Sequence, residues 1–249
     1  MNQPFDLKNK VAVIIGGGGH LCSVLAKALF DAGAKIVIID VQDPQFEWLN
    51  GDSASAMRCD VTSKADVLRC RDEVLKRHGR VDILLNGAGT NAPTPFLEIS
   101  EDEISRILAV NLVSLVYACQ AFGETMLQQK SGSIINFASA SSGPPLSKAF
   151  IYSAAKSGVV SITQNLAREW ATSNVRVNAL RPGFFPTEWS MNHFIDEQRK
   201  SKILGHTPMA RFGQPEELVG AVLWLASDSA SFVTGSIVAI DGGFTAMTI

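Results

Sequence analysis

The 249-residue sequence predicts an α/β fold built as a doubly wound parallel sheet, with about seven strands and helices on both faces. Three observations carry that expectation. Short, near-continuous apolar runs alternate with helical patterns along nearly the whole chain, as strands buried on both faces require. The first run, VAVII at Val11–Ile15, flows straight into four glycines, Gly16 to Gly19, the way a buried strand delivers a chain to a phosphate-cradling turn. No repeat, low-complexity tract or linker divides the chain, and its length suits one domain.

In chain order the strands read VAVII, KIVIID, SAMRCD, VDILLN, GSIINFAS, VRVNAL and SIVAID. Helices fill the intervals over about residues 20 to 32, 64 to 78, 101 to 128, 152 to 172 and 215 to 226. One segment, residues 183 to 214, breaks the rhythm. It is longer than an ordinary connection and rich in aromatics, so residues 184 to 212 are expected to form a lid over a substrate.

A hydrophobic content of 46%, with 18% charged residues and a net charge of −2, gives no bulk electrostatic reason to bind nucleic acid or an anionic membrane. Small molecules are the expected partners. The polar start MNQPFDLKNK lacks a secretory pattern, and no uninterrupted apolar run approaches a membrane span, so the cytoplasm is the expected location. Cys22, Cys59, Cys70 and Cys119 fit no metal-ligand spacing, and neither do His20, His78, His193 and His206. No metal is expected, and the thiols are read as reduced and buried.

Ligands of open α/β sheets bind beyond the carboxyl ends of the strands. There the sequence places Gly16–Gly19, then Asp40, then Asp60 with Val61, then Asn86-Gly87-Ala88-Gly89. Asp40 suits a ribose hydroxyl and repels a 2′-phosphate. Tyr152 and Lys156, at i and i+4, share a helical face, and Ser139 stands just beyond the fifth strand. A tyrosine of ordinary pKa about 10 is a poor base at neutral pH, and a neighbouring ammonium together with a bound cationic nicotinamide is expected to lower it. Asn111 interrupts an apolar stripe formed by Ile104, Leu108, Leu115, Ala118 and Phe122. A buried amide must be hydrogen-bonded, to backbone or within a site, and the sequence leaves both open.

Together these residues resemble the short-chain dehydrogenase/reductase family over about residues 7 to 244. The glycine turn, NGAG from Asn86, Asn111, Ser139, Tyr152 with Lys156, PGFFPT from Pro182 and DGG at Asp241–Gly243 all have family counterparts. The resemblance implies a single Rossmann domain. It makes Tyr152 the general acid/base and Ser139 the hydrogen-bond partner of the substrate oxygen. Lys156 would tune Tyr152 and hold the nicotinamide ribose, while Asn111 would keep a water beside Lys156. Cofactor contacts are implied for Gly16, Gly18, Gly19, His20, Leu21, Asp40, Asp60, Val61, Asn86, Gly87, Ala88, Tyr152, Lys156, Pro182, Gly183, Phe185 and Thr187.

The departures are specific. Where the family's turn reads TGxxxGIG, Ile15, His20 and Cys22 replace threonine, glycine and glycine, and Gly87 replaces the second asparagine of NNAG. The turn is still expected to hold a dinucleotide through its glycines and the helix amides behind them, with His20 facing either solvent or the cofactor. Asp40, with no basic residue in DVQDPQ, favours NAD over NADP.

The glycine turn and the C-terminal third look most like the sugar-acid and polyol branch, including fructuronate reductase (mannonate oxidoreductase) and gluconate 5-dehydrogenase types. The expected reaction interconverts a secondary alcohol and a ketone. Candidate substrate contacts are Ser141, Pro145, Leu146, Phe185, Trp189 and His193, with core or subunit contacts equally open for Phe185 and Trp189; Lys148 and Arg181 are read either as partners of a carboxylate or as surface and structural residues. The family also implies a homo-oligomer, commonly a tetramer. Alternative readings are a 3-oxoacyl thioester reductase and a non-catalytic dinucleotide sensor.

Overall fold

The computed structural model describes residues 5–49, 51–187, 190–191 and 194–247. Its strands are β1 (Val11–Ile15), β2 (Lys35–Asp40), β3 (Ala54–Arg58), β4 (Ile83–Asn86), β5 (Gly132–Phe137), β6 (Val175–Pro182) and β7 (Ile237–Ile240). All pair in parallel, in the order β3-β2-β1-β4-β5-β6-β7. Side chains alternate between two cores, as a pleated strand dictates. Val11, Val13 and Ile15 of β1 enter one core, while Ala12 and Ile14 enter the other.

The first core is closed by Val67 and Val74 of α2 (Lys64–His78), Phe122 of α4 (Ser114–Gln129) and Val159 of α5 (Phe150–Trp170). The second is closed by Leu25 and Leu29 of α1 (His20–Asp31) and by Val222 and Leu225 of α7 (Val219–Ala226). Each such buried side chain stabilises the fold by about 1.5–3 kcal/mol relative to leaving it in water. The sheet is therefore covered on both faces, as the near-continuous apolar strands predict.

Among the boundaries that differ from the sequence reading, two are instructive. β4 begins at Ile83, and just before it Asp82 is an anchor: its backbone N–H donates to Val11 O, its carbonyl accepts from Ser133 N–H, and its carboxylate accepts from Val11 N–H at 2.9 Å and from two nitrogens of Arg80 at 2.9 and 2.6 Å. The helix expected over 101 to 128 is two pieces, α3 (Glu101–Leu108) and α4, joined by a π-helical turn at Ala109–Val113. Side chains support the distorted turn, with Asn111 Nδ2 donating to Ile107 O at 2.8 Å and Ser114 Oγ to Val110 O at 2.7 Å. Such turns concentrate at functional sites. The whole rod, Glu101–Gln129, is long and apolar enough to cross a bilayer, but here it packs on the sheet and beside α2 and α5.

The insertion after β6 carries one described helix, α6 (Glu197–Gly205), whose N-terminus is capped by Asp196 accepting from Arg199 N–H at 2.7 Å. Two of the candidate substrate residues, Trp189 and His193, lie outside the described residues.

Candidate active site

β1 and β4 are neighbours, yet the chain leaves β1 for α1 on one face and β4 for α3 and α4 on the other. At that switch point, beyond the carboxyl ends of the strands, lies a cleft of about 550 Å³. Gly16, Gly19, His20 and Leu21 line one end of it. Gly16 has φ +72°, and a β-carbon there would stand 2.7 Å from the Ala88 nitrogen, so no other residue fits without moving backbone.

Helix α1 starts differently from its neighbours. Ser63 caps α2 and Ser100 caps α3, each with acidic residues in the first turn. Gly19 supplies no side-chain cap to α1, and its first turn holds no acid. Its amides and the positive end of its dipole are thus left for an anion, which fits the pyrophosphate of a dinucleotide. His20 is exposed at the cleft margin. Asp40, at the tip of β2, accepts from Gly18 N–H at 2.9 Å and from Gln42 N–H at 3.1 Å. Those bonds fix the carboxylate beside the glycine turn and leave lone pairs for a ribose hydroxyl.

Two departures from the family pattern turn out to be one. A β-carbon added to Gly87 would collide with Cys22 Sγ, a sulfur that is itself buried. The cysteine fills the volume that a side chain at position 87 would need, so Cys22 and Gly87 exchange bulk across the α1–β4 contact. Gly87→Ala is expected to destabilise the fold by about 1–3 kcal/mol. Combined with Cys22→Ala, most of that loss should return. A double-mutant cycle by urea unfolding measures the coupling, and additivity within about 0.5 kcal/mol would refute the exchange.

Ser139, Tyr152 and Lys156 meet on the cleft wall. Ser139 Oγ accepts from Ser141 N–H at 3.2 Å and lies near enough to the Tyr152 phenol to favour its anion. The Lys156 ammonium donates to Phe137 O at 2.7 Å and sits 5.6 Å from the centre of the Tyr152 ring. Burial pulls Lys156 from 10.5 down to about 8. Tyr152 departs from expectation: burial pushes its pKa up, and the Ser139 hydroxyl offsets this only in part. The ammonium faces the ring and a carbonyl, so without a second cation the phenol stays protonated.

Asn111 stands behind the cleft wall, buried. Its amide clamps Thr90, giving to Thr90 O at 2.7 Å and taking from Thr90 N–H at 3.3 Å. Both of the readings left open by the sequence therefore have a basis, because Asn111 also borders a cavity of about 10 Å³ with Lys156, Asn86 and Ala88. That is about the volume one water needs.

The remaining expected residues separate into three groups. Gly87, Ser141, Leu146, Pro182, Gly183, Phe185 and Thr187 line the cleft. Gly18, Asp40, Asp60 and Val61 do not line it, but they follow the same sheet edge, where Cys59 N–H donates to Asp40 O at 2.8 Å. The Asn86 side chain faces inward, donating to Asn136 Oδ1 at 2.9 Å, and with Ala88 it lines the small inner cavity rather than the cleft. For Lys148 and Arg181 the geometry favours the surface and structural roles. Neither lines the cleft: Lys148 reaches Asp196 at 3.8 Å, and Arg181 lies in the field of Asp241. Pro145 also lies off the cleft. The structure adds Asn91 and Arg199, which no motif marks.

A family model described as enoyl-(acyl carrier protein) reductase matches residues 21–245. The chain is 35% identical over 247 residues to D-threitol dehydrogenase of Mycolicibacterium smegmatis, covering 97% of this chain and 95% of that protein. It is 32% identical over 250 residues to NAD-dependent glycerol dehydrogenase of Listeria innocua serovar 6a, covering 98% and 97%. A crystal structure of gluconate 5-dehydrogenase from Burkholderia cenocepacia, in complex with NADP and tartrate, superposes with a TM-score of 0.90 at 31% identity, over 98% of each chain. With the glycine turn, the switch-point cleft and the serine–tyrosine–lysine cluster, these likenesses establish that the chain belongs to the short-chain dehydrogenase/reductase family, oxidoreductases acting on CH–OH groups.

Proposed function

We propose that this protein is an NAD-dependent oxidoreductase that interconverts a secondary alcohol and a ketone on a sugar acid, sugar or polyol. The observation that carries the reading is the meeting of Ser139, Tyr152 and Lys156 on the wall of the switch-point cleft. A dinucleotide fits the residues present, with Gly16, Gly19, His20 and Leu21 at the pyrophosphate end, Gly18 and Asp40 at a ribose, and Asp60 and Val61 along the edge beyond. Pro182, Gly183, Phe185 and Thr187 line the nicotinamide end. When bound, the nicotinamide supplies the hydride donor or acceptor.

The chain's own residues do the rest. Ser139 holds the reacting oxygen beside the Tyr152 hydroxyl, and Tyr152 gives a proton to that oxygen in reduction or takes it in oxidation. Lys156 orients the site and passes the proton inward, where a water in the small cavity beside Asn111 continues the path. Phe194 and Ile195, from the insertion, line the outer wall as a lid would, restricting water. The named activities of the threitol and glycerol relatives and the tartrate complex of the gluconate enzyme support a polyhydroxy substrate. The fully exposed Phe232 and the largely exposed Leu97 suit subunit contacts in a homo-oligomer, which we propose to be a tetramer in the cytoplasm.

The test is reduced-nicotinamide formation with NAD and NADP across polyols, aldonates, hexuronates and 3-hydroxyacyl thioesters. Turnover of a polyhydroxy compound with NAD is the expected result. Turnover confined to thioesters and NADP would replace the reading with thioester reduction, and dinucleotide binding without turnover would favour a sensor. Asp40→Ala should shift the NAD/NADP ratio of kcat/KM towards NADP by about 10-fold or more, a hydrogen bond to a charged group being worth about 1.5–3 kcal/mol. An unchanged ratio would remove Asp40 from cofactor selection.

A further inference from the structure

Among the described residues the cleft is lined by two basic side chains of lysine and arginine, Lys156 and Arg199, and by no aspartate or glutamate. Lys156 is committed to Phe137 O and lies against Tyr152. Arg199 belongs to α6, in the insertion after β6, and has no assigned role. Resting on the oxidoreductase reading above, we propose that Arg199 binds a carboxylate of the substrate, so that the cleft selects polyhydroxy acids over the corresponding neutral polyols.

The Arg199 side chain is half-buried and held at two points, with Nη2 donating to Ser147 O at 2.9 Å and Nη1 to Ser147 Oγ at 3.2 Å. A guanidinium carries five N–H donors, so these bonds fix its plane and leave others for a ligand. Burial disfavours its charge, and the field of the exposed Asp196 offsets that only in part. Asp196 is itself shared, with Lys148 at 3.8 Å and with the Arg199 backbone N–H. A second anion in the cleft would complete the compensation. A carboxylate matches the planar fork and the single charge.

Two further atoms define the rest of the ligand. Ser141 Oγ and Asn91 Oδ1 are buried without a hydrogen-bond partner, and both residues line the same cleft. The other end of the Asn91 amide donates to Lys148 O at 3.2 Å, which leaves its oxygen as the free acceptor. A buried acceptor without a donor costs about 1–3 kcal/mol, a cost that substrate hydroxyls would remove. One fixed cation, one hydroxyl and one lone acceptor around a reacting carbinol describe a hydroxylated acid. A simple alcohol would satisfy none of the three.

Arg199 also ties α6 to the loop before α5, so the experiment must separate binding from bracing. The readout is the ratio of kcat/KM for an aldonate to that for the alditol of the same configuration, D-gluconate against D-glucitol and D-mannonate against D-mannitol. The wild type should favour the acids. Arg199→Ala should lower the ratio by about 10- to 100-fold, chiefly through KM for the acid, with Arg199→Lys falling between. A bracing residue would depress both substrates together and leave the ratio unchanged, which would overturn the proposal, as would a wild type that prefers the alditols. Failure of both substrate types in protein shown to bind NADH would instead overturn the sugar and polyol reading itself, and this inference with it.

Discussion

Tyr152→Phe is expected to lower kcat by about 10²- to 10⁴-fold, the usual worth of a positioned acid or base, while NADH binding stays near the wild-type value. The substitution removes one oxygen and keeps the ring against the Lys156 ammonium, so packing should change little. The pH profile gives a second reading of the same group. Burial raises the Tyr152 pKa above the ordinary tyrosine value, so the phenol is the form present at neutral pH. That form is ready to protonate a ketone, and alcohol oxidation needs the phenolate instead. Oxidation should therefore accelerate as pH rises towards the tyrosine pKa, and that dependence should vanish in the phenylalanine variant. Steady-state rates from pH 6 to 10 decide it, and turnover within about threefold of wild type would refute the catalytic assignment.

Much of the fold was legible in the sequence because both faces of the sheet are covered, so each strand announces itself as an apolar run. The rim was legible too, since a parallel sheet brings every strand's carboxyl end to one edge. Three features were hidden, each for a physical reason. The π turn at Ala109–Val113 lies inside a largely apolar run of helix-compatible residues with no Gly or Pro to mark it. The pairing of Cys22 with Gly87 is a contact between residues far apart in sequence, and two separate oddities do not reveal that they touch. Arg199 lies on a short helix inside an irregular insertion, where no periodicity ties a side chain to the cleft. Lys148 and Arg181 carry the right charge for a carboxylate, yet Lys148 pairs with Asp196 and Arg181 stands in the field of Asp241, neither of them lining the cleft.

Lys156→Met should be the other severe change, with kcat falling by at least about 10²-fold. Its effect on stability should run the opposite way with pH. Burial lowers the folded-state pKa of Lys156 from 10.5 to about 8, so between those values the unfolded chain binds more protons than the folded one. Stability from this group must then rise with pH across that window, by up to about 3 kcal/mol at 1.36 kcal/mol per unit. Below pH 8 the full unfavourable burial of the ammonium is present. Cys22 and Cys119 act in reverse, because burial holds both thiols up near about 12 against an ordinary 9.0, and their contribution falls as pH rises above 9. The net slope of the wild type alone is therefore ambiguous. The difference between wild type and Lys156→Met cancels the Cys119 contribution and leaves the lysine together with its smaller coupling to Cys22. Urea unfolding of both at pH 8 and 10 should show the wild type gaining on the variant as pH rises, and equal slopes would mean that Lys156 is not the desolvated cation that the geometry makes it. A lysine that titrates near pH 8 is also able to hand on a proton at neutral pH, so the same burial that weakens the fold there fits Lys156 for the inner end of the proton path.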